Sequence, residues 1–286
     1  MEIIGQDKIL HFINSHNLST LPQTILLEGP YGSGRRSICN YIASLYQIEL
    51  EDISDNLNYE YLEEITFRVT PQLYVIDSSK LTVKNENAIL KFLEEPLKNS
   101  LIILICENKY SMLDTIRNRC YCMTLEKYSR EQLSQFLPPW EDANLILELS
   151  QTPGDVKNFQ NISVQDLLQL CHKIFDKIAS ATVPNTLSLA NNLAFKNEKD
   201  KYEVSIFMRA LLMCAYDRMV TSASSFALQD YLLTSEYCNR FSVKNIDKKY
   251  LFENYLFLRN NDFLGLLFYL FLFELLNLKN FFAVTH

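Results

Sequence analysis

The sequence predicts a three-layer α/β domain with a mainly parallel sheet, followed by two helical domains. Continuous apolar runs at 24–27, 72–76 and 101–106 alternate with segments whose apolar residues recur at helical spacing. This alternation is typical of buried parallel strands joined by helices. After residue 125 the strand patterns almost vanish and helical periodicity takes over. We therefore predict an α/β domain over 1–125, a small helical domain over 126–162 and an all-α domain over 163–286.

The predicted elements of the α/β domain follow one another in a regular order. The first helix is expected within 1–20, and the second follows the first strand and ends near residue 46. Segment 47–64 is acidic and irregular, so we predict a solvated surface connection there. The later elements are expected as strand 72–76, helix 85–95, strand 101–106, helix 114–119 and strand 121–125.

The rest of the chain is predicted to be helical. Pro153 and Gly154 indicate a turn, and Ser163 is a good N-cap for a long helix. The run 263–273 is apolar on almost every side, which indicates a buried helix. The helices are expected at 128–137, 143–150, 155–160, 163–180, 186–195, 202–220, 226–233, 247–259 and 263–278.

Composition narrows the class of function. The formal net charge is −7, so a general basic surface for nucleic acid is absent. The seven cysteines contain no C-x-x-C pair, and we expect buried thiols in a reducing cytoplasm and no metal site. The first residues do not resemble a signal peptide, and the 263–273 run is too short to span a bilayer. A cytoplasmic protein without a membrane contact is expected.

A glycine-rich loop at 29–37 links the first strand to its helix, the context of a phosphate-binding P-loop. Gly29 and Gly34 fit the pattern G-x-x-x-x-G-K-[S/T], and Gly32 adds a third glycine. Arg35 replaces the lysine that reaches the phosphates, and Arg36 replaces the hydroxyl that binds Mg²⁺. Ser37 stands one position too late. Because arginine cannot ligate a metal ion, the loop is not expected to support ATP hydrolysis.

Three further motifs carry a resemblance to a known family. Residues 87–96, Asn-Ala-Ile-Leu-Lys-Phe-Leu-Glu-Glu-Pro, resemble the signature N-A-L-L-K-x-L-E-E-P of the clamp-loader family of AAA+ proteins. Residues 115–120 resemble its T-I-x-S-R-C motif, and Ile4-Gly5-Gln6 resembles its N-terminal V-G-Q. The resemblance implies an AAA+ P-loop domain, a helical lid at 126–162 and an all-α oligomerisation collar at 163–286.

Several positions depart from the pattern of an active family member. The strand that ends at Asp77 is followed by Ser78, where the family's catalytic glutamate is expected. Glu107 stands near the position of a phosphate-sensing Thr or Asn, and 152–156 offers no sensor arginine. The resemblance therefore implies a ring member that does not hydrolyse ATP, with Asp77 and the 29–37 loop forming a degenerate site. ATP binding is not expected, and the zinc module of related subunits is absent, so no cofactor is predicted.

Arg119 is the residue to which the resemblance gives a reactive role. In the family, the arginine of this motif reaches the nucleotide of the neighbouring subunit as an arginine finger. The alternative is that Arg119 only caps a helix or pairs with an acid. The end of the 87–96 motif, which includes Glu94, is expected to have a local hydrogen-bonding or interface role. Lys80, Lys84 and Lys91 either face duplex DNA inside a ring or form a solvated surface.

The resemblance implies a non-hydrolysing subunit in a pentameric ring with gamma/tau and delta subunits, which loads a sliding clamp onto primed DNA. One alternative is an active or weakly active ATPase of the same fold, in which Arg35 acts for the lysine. Another is a regulatory interaction protein that keeps the fold outside the replisome. Whatever the function, Arg35 and Arg36 could hold a stray phosphate, fill the vacated pocket or form surface ion pairs.

Overall fold

The computed structural model describes residues 3–94, 100–138, 142–159, 163–180, 201–222, 224–241, 251 and 254–255. The chain divides into two compact units, Met1–Lys157 and Asn158–His286. Each unit is described by itself below. The division into domains at 125 and 162 stays a prediction.

The first unit is built on a five-stranded sheet in which every pair of neighbouring strands is parallel. Its spatial order is β2-β3-β4-β1-β5, so the first strand lies between the fourth and the fifth. The sequence prediction of a parallel α/β domain is confirmed. The strands are β1 (Thr24–Glu28), β2 (Glu49–Asp52), β3 (Gln72–Asp77), β4 (Leu101–Cys106) and β5 (Tyr121–Thr124).

Helices cover both faces of this sheet and give three layers. Alternate residues of a strand point to opposite faces, so Ile25 and Leu27 pack in one core and Leu26 in the other. The first core includes residues of α1 (Asp7–Asn14) and α2 (Arg35–Tyr46). The second includes residues of α3 (Tyr59–Thr66), α4 (Val83–Glu94) and α5 (Asp114–Arg117). The central strand β4 is buried along its whole length, as its apolar run predicts.

The prediction of a solvated connection at 47–64 is wrong. Glu49–Asp52 form the edge strand β2, which pairs with β3, and α3 begins at Tyr59. Ile53, Leu62 and Ile65 are each no more than 4% exposed. The acidic residues lie around these apolar anchors, since only one face of an edge strand and one side of a surface helix have to be buried.

Three short helices complete the described part of the first unit: α6 (Arg130–Ser134), α7 (Ala143–Leu149) and α8 (Pro153–Asn158). Ser129 and Gln132 form a capping box at the start of α6. The turn predicted at Pro153 and Gly154 is wrong, because the helix already begins at Pro153. Proline suits the first helical position, where its missing N–H would have no partner in the helix.

The second unit contains three long helices in its described part: α9 (Val164–Ser180), α10 (Lys201–Ser222) and α11 (Ser225–Phe241). The N-cap predicted at Ser163 is present, since its hydroxyl accepts the Asp166 N–H at 3.2 Å. Helix α10 packs against both α9 and α11. The predicted helices 186–195 and 263–278, and most of 247–259, lie outside the described residues.

Candidate functional site

The glycine loop begins where three neighbouring strands end. Gly29 follows β1, and its N–H donates to the Cys106 carbonyl at the end of β4, at 3.0 Å. Asp77 ends β3, the next strand in the sheet. The chain passes from β1 to one side of the sheet and from β4 to the other, and such a reversal is where open parallel sheets bind ligands.

The backbone of the loop requires its glycines. Gly32 and Gly34 have φ angles of 75° and 93°, in the region that side chains disfavour. A Cβ atom on Gly29 would lie 2.8 Å from Ser33 Oγ and 3.1 Å from Leu125 Cβ. Gly34 is the N-cap of α2 and offers no side-chain hydrogen bond. The loop therefore keeps the backbone form that the pattern predicts.

Residues that follow the sheet hold the loop closed. Tyr128 Oη donates to the Ser33 carbonyl at 2.8 Å, and the Gly154 N–H donates to the Gly32 carbonyl at 3.0 Å. The Ser33 side chain is 1% exposed and donates to the Pro30 carbonyl at 2.6 Å. The carbonyls of Gly32 and Ser33 thus both accept hydrogen bonds from residues of 126–162, the segment predicted to be the lid.

Arg36 pairs with two aspartates that end neighbouring strands. Its guanidinium forms an ion pair with Asp52 at the end of β2, and its Nη2 lies 3.5 Å from Oδ2 of Asp77. The other oxygen of Asp77 accepts hydrogen bonds from the Ser79 N–H at 2.9 Å and the Ser79 hydroxyl at 2.7 Å. Both oxygens of the Asp77 carboxylate are therefore engaged by the chain itself. Of the roles left open for Arg36, the ion pair is observed.

The charges of this cluster reinforce one another. Partial burial acts to raise the pKa of Asp52, but hydrogen bonds from Ser54 and Arg36 and the charge of Arg36 hold it below its ordinary value. Partial burial acts to lower the pKa of Arg36, but the bond to Asp52 and the charges of Asp52 and Asp77 raise it. The ion pairs are thus present at neutral pH.

Arg35 has a different environment. It shares the buried face of α2 with Ile38, Cys39 and Ile42, and it is 9% exposed. Within the described residues, no hydrogen bond or ion pair holds its guanidinium. Ser37 is half-buried, and its hydroxyl likewise has no hydrogen bond within the described part of the chain.

The two positions expected to act on the attacking water and the phosphate hold unsuitable groups. The Ser78 hydroxyl, at the place of the glutamate, is buried and has no hydrogen-bond partner among the described residues. Glu107 is exposed beyond the end of β4. Neither a hydroxyl without a base nor an acid near a γ-phosphate favours hydrolysis.

Arg119 lies just after α5, and its guanidinium has two partners. Nη1 donates to the Thr115 carbonyl at 2.7 Å, and Nη2 forms an ion pair with Glu94 at the end of α4. Its side chain is 36% exposed. The cap and the acid pair that the sequence left as an alternative are both present in the isolated chain, and both leave part of the guanidinium accessible.

Two of the lysines considered for DNA contact, Lys80 and Lys91, have interaction partners within the chain. Lys80 Nζ lies 2.6 Å from each carboxylate oxygen of Asp55, and Lys91 Nζ lies 5.1 Å from the centre of the Tyr59 ring. The side chain of Lys84 lies outside the described residues. The structure therefore gives Lys80 and Lys91 partners within the chain.

Several residues of the site were not found from the sequence. Asp52 lies in the strand that was not predicted, so nothing marked it as a partner for Arg36. Glu28 accepts hydrogen bonds from the Lys109 N–H at 3.0 Å and the Thr124 hydroxyl at 2.7 Å, which joins the ends of β1 and β5 to the turn after β4. The only sequence signal for Glu28 is its place directly before the loop.

The described residues contain neither a metal-binding cluster nor a membrane-spanning helix. They contain no group of three or more His, Cys, Asp or Glu side chains arranged to hold a metal ion. Over the same residues, no helix combines the length and apolar character that crossing a membrane requires. None of the seven cysteines, all within that part of the chain, forms a disulfide.

Comparison with solved structures finds similar folds at low identity. The RuvB Holliday junction branch migration motor of Thermotoga maritima is 18% identical, with a TM-score of 0.48 over 58% of this chain and 64% of that one. A DNA polymerase III gamma subunit-related protein from the same organism is 14% identical, with a TM-score of 0.46 over 90% and 98%.

Comparison of sequences gives a more specific result. Residues 45–129 match the family described as "DNA polymerase III, delta subunit". The DNA polymerase III subunit delta' of Bacillus subtilis is 39% identical over 56 residues, which are 19% of this chain and 17% of the relative. The family match contains both signature motifs, at 87–96 and 115–120. Residues 45–129 are therefore similar to a DNA polymerase III subunit family, in agreement with the resemblance found in the sequence motifs.

Proposed function

We propose that this chain is a delta-prime-like subunit of the replicative clamp loader that does not hydrolyse ATP. It would act in the cytoplasm, in a pentameric ring with gamma/tau and delta subunits, to load the sliding clamp onto primed DNA. Its own nucleotide site would be inactive, and Arg119 would serve the ATP bound by a neighbouring subunit.

The ion pairs of Arg36 carry the first half of this proposal. An active P-loop ATPase holds Mg²⁺ between the hydroxyl of the loop and the aspartate that ends the neighbouring strand. Here a guanidinium occupies the hydroxyl position and is paired with that aspartate, Asp77. A positive side chain in that place repels a metal ion, and Asp77 has no carboxylate oxygen left without a partner. Ser78 stands where an active site would have its glutamate, and this replacement also disfavours hydrolysis.

The accessible guanidinium of Arg119 supports the second half. An arginine supplied from a neighbouring subunit stabilises the charge that develops on the transferred phosphoryl group, which contributes about 10³–10⁵ in rate. Arg119 stands in the family match, lies just after a short helix and has a side chain that is 36% exposed. These are the properties that such a finger requires.

The proposal is tested by reconstituting the complex with its cognate gamma/tau and delta subunits. Arg119→Ala should assemble normally on size exclusion, while the DNA-stimulated ATPase rate falls by at least about tenfold. Arg117→Ala is the matched control, because Arg117 is the last residue of α5, two positions before Arg119, and pairs with Asp114 at 2.8 Å. It should keep the wild-type rate.

Two results would count against the proposal. Full ATPase activity of the Arg119→Ala complex would remove the role in trans. Failure of the wild-type chain to join gamma/tau and delta would favour the other class of function, an interaction protein that keeps the fold outside the replisome.

One observation favours a second candidate, an ATP-binding subunit. The Arg35 guanidinium is nearly buried beside the glycine loop and has no ion-pair partner among the described residues. A phosphate could supply that partner, with Arg35 acting for the lysine. Tight binding of Mg²⁺–ATP by the isolated chain, measured by calorimetry, would support this candidate. Absence of binding would leave the loop as an inactive site.

A further inference from the structure

An ion pair joins the two signature motifs of this chain. Glu94 belongs to the motif at 87–96, and Arg119 belongs to the motif at 115–120. The two residues are 25 positions apart, with strand β4 between them, yet the Glu94 carboxylate accepts a hydrogen bond from Arg119 Nη2. Helices α4 and α5 pack against each other and bring the two side chains together.

Glu94 stands where a helix by itself would not favour an acid. It is the last residue of α4, and the negative end of a helix dipole repels a carboxylate. A nearby guanidinium offsets that repulsion. Contact with Arg119 therefore gives a physical reason for an acid at this position, which the helix alone does not.

The pair uses only part of the hydrogen-bonding capacity of the guanidinium. An arginine has five N–H donors in a fixed plane. Glu94 takes one from Nη2, and the Thr115 carbonyl takes one from Nη1. The other three have no hydrogen-bond partner among the described residues. Two acceptors on different helices thus fix the plane of the guanidinium and still leave donors for an external oxyanion.

We infer that Glu94 is a positioning residue for Arg119: together with the Thr115 carbonyl, it holds the guanidinium in the orientation that a neighbouring γ-phosphate meets. This inference rests on the proposed role of Arg119 in trans. Holding the side chain before the phosphate arrives removes rotamer freedom that would otherwise be lost in the transition state. An exposed ion pair contributes little to folding, so the effect belongs to the reaction and not to the stability of the chain.

The inference is tested in the reconstituted complex by steady-state ATPase measurements. Glu94→Ala should lower kcat about tenfold and leave KM for ATP, assembly and the Tm of the chain unchanged. Glu94→Gln keeps an oxygen acceptor for Nη2 and should recover at least half of the wild-type kcat. Asp114→Ala is the matched control, because it removes an ion pair to Arg117 on α5 without touching Arg119, and it should leave the rate unchanged.

A double variant separates positioning from other effects. If Glu94 acts through Arg119, adding Glu94→Ala to Arg119→Ala should not lower kcat further. The inference is overturned if Glu94→Ala keeps the full rate, if Glu94→Gln is as slow as Glu94→Ala, or if the two losses add. Arg119→Ala alone tests the underlying function. A normal rate there removes the proposed function, whereas a slow Arg119→Ala with a normal Glu94→Ala removes only the inference.

Discussion

The side chain of Arg36 determines the charge at the end of the glycine loop. The backbone keeps the glycine conformations of a phosphate loop, with φ angles of 75° and 93° at Gly32 and Gly34. Arg36 then places a permanent cation beside Asp77 and Asp52. The two carboxylates at the ends of β2 and β3 are thus paired by a side chain of the protein itself.

This cluster predicts a pH-dependent contribution to stability. The folded pKa of Asp52 lies below its ordinary value of 3.8. A carboxyl with a lowered folded pKa favours the folded state above its unfolded pKa, and the contribution is lost as the pH falls through the folded pKa. Asp52→Asn should therefore lower the free energy of unfolding at pH 7 by about 0.5–1 kcal/mol, the range of a partly exposed pair.

The difference between wild type and Asp52→Asn should shrink as the pH falls below about 4. Thermal unfolding followed by circular dichroism from pH 7 to pH 3 measures it. Glu63→Gln is the control, because Glu63 is exposed on α3 and its carboxylate has no partner within the described residues. A destabilisation by Asp52→Asn that is the same at pH 3 and pH 7 would contradict the ionic origin.

At the scale of single residues, the sequence predicted the residues of the glycine loop but not their distant partners. Gly29, Arg35 and Arg36 could be placed by pattern, because a loop between a strand and a helix is a local feature. The partner Asp52 and the contact between Glu94 and Arg119 could not, because both depend on how distant elements pack. Sequence spacing gives the face on which a residue lies, but not the residue that it meets across an interface.

At the level of secondary structure, β2 and α3 were not predicted from the sequence. Strand β2 reads Glu-Leu-Glu-Asp, which has low strand propensity and one apolar residue. It forms as an edge strand because β3 offers it a complete row of backbone partners, from Gln72 to Val75. Three of the strands predicted correctly, β1, β3 and β4, are central and mostly apolar, and their burial makes them visible in a sequence. The fourth, β5, is an edge strand in which only Met123 is buried.

The burial of α3 leads to a direct test of this correction. Ile65 is 0% exposed in the core that α3 shares with β3 and β4, whereas Val69, four residues later, is 89% exposed. Ile65→Ala should lower the free energy of unfolding by about 2–5 kcal/mol, because it removes buried methyl groups and leaves a cavity. Val69→Ala should change it by less than about 0.5 kcal/mol.

Urea denaturation of both variants measures the difference. Similar small effects for Ile65→Ala and Val69→Ala would mean that this segment is the solvated connection expected from its acidic composition. A large effect for Ile65→Ala alone would establish the segment as part of the folded core.

For the whole molecule, charge decides how it can meet DNA. The net charge of −7 gives no general attraction to a phosphate backbone. Of the lysines considered for DNA contact, Lys80 is neutralised by both oxygens of Asp55.

The isolated chain should therefore bind primed DNA with a dissociation constant weaker than about 10⁻⁴ M near 150 mM salt, below the usual strength of non-specific binding. Fluorescence anisotropy with a labelled primed template measures this, and the reconstituted complex serves as the positive control.

In the reconstituted complex, Lys80→Ala should leave the slope of log affinity against log salt unchanged, because a lysine already held by a carboxylate releases no counterion. A slope reduced by about one would mean that Lys80 exchanges Asp55 for a DNA phosphate on assembly. Micromolar binding by the isolated chain would instead require a local basic surface strong enough to overcome its net charge.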